Sequence, residues 1–456
     1  MLSDLSYLSY PLPPDVQRLF EAGELARMER VIALRLADLR TPQCLKERLR
    51  FQLAIARDLP EAYPFTQGEL LARLRAAVRD FKAEELEALR DDGTLDWRFI
   101  EGEVRFKDNC VSNLLKTRPE YAARALNPEV RAAAARRQRA LGDVIGRMKA
   151  QGGIRARFEL HEEMTVRSPR LTPGETLRIH LPLPVVGAQV TRAVLLGASH
   201  PAAFIAPEDE PHRTAYFELP YEPGMTVSAD FTYDVDARYV HPDPAAVSPE
   251  QPRFDTQELP PHVVFTPYLR ALAKEIAGEE TNPLRIARRI YDFITTQAVY
   301  RFMPPYRTVT NIPEYFLSGL RGDCGVQAIT FITLCRLCGV PAQWQAGLYT
   351  TPESAGNHDW ARFYVAPYGW LYCDGSFGGS AYRAGCKERH DFYFGNLDPF
   401  RMVANRDFQQ ELNPPRRFLR RDPYDTQNGE IESLTRALDA DEYETDSRVL
   451  RYEELA

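Results

Sequence analysis

The sequence has no long apolar run, no excess of basic charge and few cysteines, and each shortage excludes a class of protein. No stretch approaches about 18 consecutive apolar residues, the length of a membrane-spanning helix, so we expect no membrane association. Net charge is −7, from 57 basic and 64 acidic residues, so no basic surface predicts nucleic-acid binding. The opening residues, MLSDLSYLSYPLPPDVQ, lack a basic start followed by an apolar segment, and we expect no secretory signal.

Seven cysteines are scattered over 456 residues. An odd number in a long chain without a secretory signal is typical of reduced thiols, so we expect a cytoplasmic protein. Apolar residues make up 44% and charged residues 27% of the chain, as in ordinary globular proteins. A chain of this length can bury a large core in two or three domains, and it needs no disulfide or metal to hold the fold.

The period of the apolar residues divides the chain into three predicted domains. In residues 1–151 they recur at three- and four-residue steps, as in GELARMERVIALRLADLR, which predicts an all-helical domain. In residues 152–245 they alternate with polar residues, most clearly from Val227 to Val235. This alternation predicts a small antiparallel β-sandwich. Residues 246–456 return to a helical pattern and end in a polar, acidic tail, for which we predict a short helix or a frayed end.

The segment RGDCGVQAITF places Cys324 at the start of an apolar run that ends at Gly339 and Pro341, which predicts a helix. The N-terminus of a helix favours an anion, and a thiolate is such an anion. We therefore expect Cys324 to be a nucleophile whose pKa lies below neutrality. Asp323 would oppose this if its carboxylate faced the sulfur, and we expect it to cap the helix instead.

A thiolate nucleophile needs a base and a group that orients the base. The segment NHDWARFYVAPYGWLYCDG predicts a β-hairpin with its turn at APYG. His358 and Asp374 would then meet at the open end of the hairpin. Asp359 is next to His358, but neighbours on a strand face opposite ways. We therefore expect Asp374 to contact one imidazole nitrogen, and the Cys324 sulfur to lie within about 4 Å of the other.

Three blocks of sequence in this order, GDCGVQA, LCRLCGVPAQWQAG and HDWARFYVAPYGWLYCDGSFG, cover about residues 323–378 and resemble the transglutaminase-like superfamily. The resemblance implies an α+β fold with a papain-like core, and it places Cys324, His358 and Asp374 on the family triad. The predicted sandwich would match the β-domain that precedes the core in many relatives, whereas residues 1–151 resemble no family.

The resemblance further implies acyl transfer through a thioester on a peptide, protein or amide bond, with hydrolysis favoured over crosslinking. In this family an upstream group often completes the oxyanion site, and Tyr300 and Tyr306 are the local candidates, although ordinary packing is the favoured explanation for both. Gln327 lies one turn after Cys324 and could face the cleft or the edge of the core.

Other readings of these residues stay open. Four cysteines, Cys335, Cys338, Cys373 and Cys386, could bind zinc, but the first two fall late in a predicted helix rather than in a metal-binding loop. The same position argues against a redox pair. We expect no metal, calcium or organic cofactor. A catalytically inactive relative that serves as a binding module is the alternative function, and the sequence gives no oligomeric state.

Overall fold

The computed structural model of the chain describes residues 4–420 and 422–456. Its N-terminal segment contains the helices α1 (Pro14–Glu21), α2 (Leu25–Ala37), α3 (Gln43–Ala62), α4 (Gln67–Ala77), α5 (Ala83–Asp91), α6 (Cys110–Thr117), α7 (Pro119–Ala122) and α8 (Pro128–Gln151). The same segment contains the strands β1 (Phe65–Thr66), β2 (Trp97–Ile100) and β3 (Glu103–Phe106).

The prediction of an all-helical segment is wrong at this small sheet, whose strand order is β1-β3-β2. β2 and β3 pair in antiparallel fashion around Glu101 and Gly102, which both have positive φ, at 50° and 80°. Two such residues form a tight hairpin turn that follows the twist of the strands. The segment is short and lies between strongly helical stretches, so the helical period of its neighbours obscured it.

The sandwich begins with six strands: β4 (Gly153–Val166), β5 (Thr176–Pro182), β6 (Val190–Ala198), β7 (Phe204–Ile205), β8 (Thr214–Pro220) and β9 (Thr226–Arg238). In β9 the alternate residues from Val227 to Val235 are buried, as the sequence predicted. α8 ends at Gly152, which has a φ of +81°, and its last turns pack into the sandwich core through Leu141, Ile145 and Met148.

The third segment contains the helices α9 (Pro267–Ala277), α10 (Pro283–Gln297), α11 (Ile312–Gly319), α12 (Cys324–Leu337), α13 (Gly375–Arg383) and α14 (Lys387–Phe392). Its strands are β10 (Val299–Tyr300), β11 (Arg321–Gly322), β12 (Ala342–Thr351), β13 (Ser354–Val365), β14 (Gly369–Cys373), β15 (Phe394–Gly395) and β16 (Arg401–Asn405).

The prediction for the C-terminal tail is wrong. Residues after 420 contribute two more strands to the sandwich, β17 (Glu430–Ser433) and β18 (Tyr443–Leu455). They complete two four-stranded sheets of order β17-β5-β8-β7 and β18-β4-β9-β6. β18 covers the edge of β4 along its whole length. The sequence of β18 is polar, which is why no strand was predicted there. An edge strand can pack little apolar surface and still be held by backbone hydrogen bonds.

The central sheet of the third segment positions the site. It has the order β15-β14-β13-β12-β16, and all its pairs are antiparallel. On one face, Trp344, Ala361 and Phe363 pack in the same core as α12. On the other face, Trp360 and Met402 share a core with the sandwich. Among the described residues, no helix combines the length and the apolar character needed to cross a membrane.

Candidate active site

Cys324 is the first residue of α12, and it is half-buried. Asp323 caps this helix, since its Oδ1 accepts a hydrogen bond from the Val326 N–H at 3.1 Å. The same oxygen accepts from the Tyr306 hydroxyl at 2.6 Å. The helix start and the cap therefore both lie where the sequence predicted, and the Asp323 carboxylate is engaged by donors rather than by the thiol.

His358 and Asp374 meet as predicted from the hairpin. Nε2 of His358 lies 2.7 Å from Oδ2 of Asp374, just beyond the open end of the hairpin, whose last pair is Ala361 with Cys373. Asp374 is also the N-cap of α13, and its other oxygen accepts from Ser376 Oγ at 3.0 Å and from the Phe377 N–H at 2.9 Å. With Nε2 engaged, Nδ1 is the ring nitrogen of His358 that remains for a reaction.

Arg401 completes this pair and was missed by the sequence analysis. Its Nη2 lies 3.0 Å from Asp374 Oδ2 and 3.1 Å from Asp398 Oδ2, with the side chain fully buried. Although burial opposes the change, His358 and Arg401 lower the pKa of Asp374 to about 2. The sequence pattern that could have revealed Arg401 is an arginine within the largely apolar run FRMVAN. Such a run predicts burial, and a buried charge requires a partner.

The Cys324 thiol has a different partner from the one predicted. Its Sγ lies 3.4 Å from Oδ2 of Asp359, and in the described part of the chain it forms no hydrogen bond with His358. Asp359 does face away from His358, as neighbours on a strand must. Its side chain faces α12. Asp359, which the sequence excluded as a partner for the imidazole, therefore contacts the sulfur instead.

This contact reverses the prediction for the thiol. Burial, followed by the charges of Asp359 and Asp323, raises the pKa of Cys324 well above its usual value. The expected fall below neutrality is therefore wrong for the arrangement found here. Burial and the Asp323 charge also raise the pKa of Asp359 to about 8. At neutral pH a protonated carboxyl group thus faces a protonated thiol.

A loop that precedes β17 holds Asp359 in place. The Gln427 amide donates to Asp359 Oδ1 at 2.6 Å and to the His358 carbonyl oxygen at 3.0 Å. Two further carboxyl groups, those of Asp422 and of the buried Asp425, lie close enough to affect the titration of Asp359. The chain therefore uses its C-terminal part to fix the residue that contacts the thiol.

The three weaker candidates occupy different places around Cys324. Tyr300 is held by the parallel pairing of β10 with β11, opposite Gly322. Burial and the charge of Cys324 raise the pKa of its phenol. Tyr306 is engaged by Asp323. Gln327 is buried and donates to the Gly322 carbonyl oxygen at 3.0 Å, so it holds the backbone before the nucleophile.

Aromatic rings surround the imidazole of His358. The Phe377 ring centroid lies 4.9 Å from it and the Trp360 centroid 5.9 Å from it. Tyr349 approaches edge-on at 6.2 Å. Burial lowers the pKa of His358 even though Asp374 raises it. The imidazole is therefore neutral near pH 7, the form that a general base requires.

The cysteines considered for zinc do not converge on a common point. Cys335 and Cys373 are buried, whereas Cys338 and Cys386 are half-buried. Over residues 4–420 and 422–456, the side chains close enough to share an ion are the exposed Asp439 and Asp441 and the buried Glu442, which precede β18. Acidic groups of this kind commonly bind no ion, so they carry no functional argument.

The comparisons with known proteins agree with the class of domain that these residues define. Residues 270–375 match the family profile described as the transglutaminase-like superfamily, so the chain contains a transglutaminase-like domain. The matched range includes Cys324, His358 and Asp374. No curated protein sequence matches the chain.

Two solved structures are similar to the chain. "A Putative Cysteine Protease from Cytophaga hutchinsonii" is 15% identical with a TM-score of 0.42, and the match covers 66% of this chain and 91% of that one. The periplasmic domain of TgpA from Pseudomonas aeruginosa is 16% identical with a TM-score of 0.28, and the match covers 55% of this chain and 96% of that one.

Proposed function

We propose that the chain is a cysteine-dependent acyl-transfer enzyme that hydrolyses a peptide, protein or amide bond. Cys324 is the nucleophile, His358 the general base and then acid, and Asp374 the residue that orients the imidazole. The observation that carries the proposal is the 2.7 Å contact of His358 with Asp374 beside the helix that begins at Cys324. Gln327, one turn into that helix, lies against the Asp374 segment at Gly375.

Each step follows from these groups. The thiol turns from Asp359 toward Nδ1 of His358, transfers its proton there, and the sulfur attacks the carbonyl carbon. The imidazolium returns the proton to the leaving nitrogen as the C–N bond breaks, which leaves a thioester. Water then gives a proton to His358 and attacks the thioester, so a carboxylic acid is released and the thiol is restored. Backbone N–H groups at the start of α12, with Tyr300 as a side-chain candidate, would stabilise the oxyanion.

Hydrolysis rather than crosslinking is the proposed outcome, because no feature of the described site selects an amine acceptor over water. The cytoplasmic location stays a prediction that rests on the odd number of cysteines in a long chain for which no secretory signal is expected. All seven are free, in keeping with a reducing compartment.

One observation favours the alternative of an inactive binding module. The thiol contacts Asp359, and its pKa is raised rather than lowered. If the thiol never leaves this position, the His358–Asp374 pair would only stabilise the fold.

Turnover of a cell-derived peptide library, followed by mass spectrometry, tests the proposal. We expect Cys324→Ala and His358→Ala each to lower hydrolysis by about 10³-fold or more. Cys338→Ala, which removes a half-buried thiol in the same helix region, is the matched control and should retain activity. Unchanged hydrolysis in Cys324→Ala contradicts the enzyme proposal. So does a wild-type protein that neither hydrolyses any peptide nor forms an acyl-thioester on Cys324.

A further inference from the structure

Two cationic side chains of the N-terminal segment lie beside the site, one on each side. Lys116 is in the last turn of α6, and its Nζ is 3.9 Å from the centroid of the Tyr300 ring. Arg137 is in α8, and its guanidinium carbon is 5.1 Å from the centroids of both Tyr349 and Phe377. Arg137 is exposed; Lys116 is exposed as a residue, but its ammonium group packs against the Tyr300 and Phe302 rings.

A single aromatic ring separates each cation from a proposed catalytic group. Tyr300 pairs with Gly322, two residues before Cys324, so Lys116 lies on the side of the nucleophile. Phe377 lies 4.9 Å from the His358 ring, so Arg137 lies on the side of the base. The two cations are close enough that each affects the titration of its neighbours, since burial and Arg137 both lower the pKa of Lys116 whereas the charge of Cys324 raises it.

A hydrogen bond joins α6 to the third segment. The Asn113 side chain accepts from the Phe302 N–H at 3.2 Å and donates to the Thr94 carbonyl oxygen at 3.2 Å. Lys116 follows one turn later in the same helix. Its ammonium group also lies 4.7 Å from the Phe302 ring centroid. The position of Lys116 beside Tyr300 is therefore built into the contact between the two segments.

Neither cation is neutralised by the protein. Among the described residues, Lys116 and Arg137 form no ion pair or hydrogen bond with a carboxylate, unlike the neighbouring arginines Arg136 and Arg147 of α8. Aromatic faces attract a cation without cancelling its charge. The site at Cys324 and His358 thus has two positive charges beside it that a ligand could use, in a protein whose net charge is −7.

We infer that Lys116 and Arg137 bind a carboxylate of the acyl substrate near the bond that Cys324 attacks, so that the enzyme acts on acidic peptides. This inference rests on the proposed function and names its substrate class. The carboxylate could belong to a Glu or Asp side chain beside the scissile bond or to the C-terminus of a short peptide. Both sources present the same anion to the two cations.

A pair of small electrophiles tests the anion site without requiring turnover. Iodoacetate and iodoacetamide alkylate the same thiol and differ in one negative charge. At low ionic strength, we expect the rate ratio of iodoacetate to iodoacetamide at Cys324 to fall about tenfold in the double variant Lys116→Gln, Arg137→Gln, with smaller falls in the single variants. Exposed Cys44 is the internal reference, and peptide mass spectrometry separates the two sites.

Arg139→Gln is the matched control, because Arg139 is an exposed arginine of the same helix and should leave the ratio unchanged. A ratio at Cys324 that is the same in the wild type and the double variant overturns the anion site. If the ratio falls but Cys324 never hydrolyses a peptide, the anion site stands and the proposed function fails.

Peptide substrates then distinguish the two sources of the carboxylate. Peptides with Glu beside the cleaved bond are compared with their Gln counterparts, and free C-termini with amidated ones. We expect the wild type to cleave the acidic peptide of one pair with a higher kcat/KM than its neutral counterpart. The double variant should lose this difference, mainly because KM for the acidic peptide rises. Equal cleavage of acidic and neutral members of both pairs by the wild type contradicts the acidic-peptide assignment.

Discussion

The Sγ atom of Cys324 lies 3.4 Å from Oδ2 of Asp359, while the imidazole of the adjacent His358 is bonded to Asp374. Successive residues of β13 therefore serve opposite sides of the site, one at the thiol and one at the base. Burial raises the pKa of the thiol, and the Asp359 charge raises it further once that carboxyl group ionises, so the nucleophile is in its protonated form near neutral pH. Catalysis by the proposed route requires the thiol to leave its contact with Asp359.

Replacing Asp359 with Asn removes that charge while the shape of the side chain is kept. The pKa of Cys324 should fall, and iodoacetamide should alkylate Cys324 about three- to tenfold faster at pH 8.5, where the wild-type carboxyl is largely ionised. Asp446→Asn, at an exposed position of β18, is the control. An alkylation profile against pH that is identical for wild type and Asp359→Asn would show that the carboxyl does not govern the thiol.

Asp374 should make stability depend on pH in acid. Its pKa is about 2 in the folded chain and about 3.9 when unfolded, so the unfolded state binds more protons between these values. Its contribution of about 2 to 3 kcal/mol is present above pH 4 and is lost as the pH falls through 4 towards 2. Urea unfolding from pH 5 to pH 3 should show a shallower loss for Asp374→Asn than for the wild type. Equal slopes would mean that Asp374 titrates normally.

Removing the Arg401 guanidinium should leave Asp374 and Asp398 as buried charges without a full partner. We expect Arg401→Gln to lower the free energy of unfolding by about 3–5 kcal/mol. Arg238→Gln is the control, because Arg238 is 79% exposed in its ion pair with Asp236 and should cost less than about 1 kcal/mol. Urea denaturation measures both variants, and similar costs would contradict the assigned role of Arg401.

Gly325 has no space for a side chain. A Cβ atom there would lie 2.2 Å from the Tyr306 hydroxyl oxygen and 2.7 Å from Asp359 Oδ2. We expect Gly325→Ala to cost about 1–3 kcal/mol and to alter alkylation of the adjacent Cys324. Gly142→Ala is the opposite case, since a Cβ in that part of α8 meets nothing within 4 Å and should stabilise by up to about 1 kcal/mol. Thermal unfolding that ranks the two variants the other way would contradict this account.

Deleting residues 443–456 should expose the edge of β4, which β18 covers. A long unpaired edge promotes association between chains, so we expect aggregation and loss of the cooperative thermal transition. Leu450→Asp, at a side chain of β18 that is 54% exposed, keeps the strand and should remain folded. A truncated chain that stays monomeric and melts like the full chain would show that β18 contributes little.

The sequence by itself determined the local features of the site. The cap at Asp323, the helix start at Cys324 and the hairpin that brings His358 to Asp374 depend on residues close together in the chain. Capping, strand alternation and turn formation act over a few residues, and each leaves a pattern that a single sequence displays. The alternating strands of the sandwich were predictable for the same reason.

Only the tertiary structure decided what surrounds those features. Asp359 reaches the thiol because β13 packs against α12, and Arg401 reaches Asp374 from a strand further along the chain. β18 pairs with a strand almost 300 residues earlier, so its polar pattern could not reveal its partner. Lys116 and Arg137 come to the site through contacts between segments. Burial and the electrostatic field at a site depend on all groups that converge in space, and sequence order does not encode that convergence.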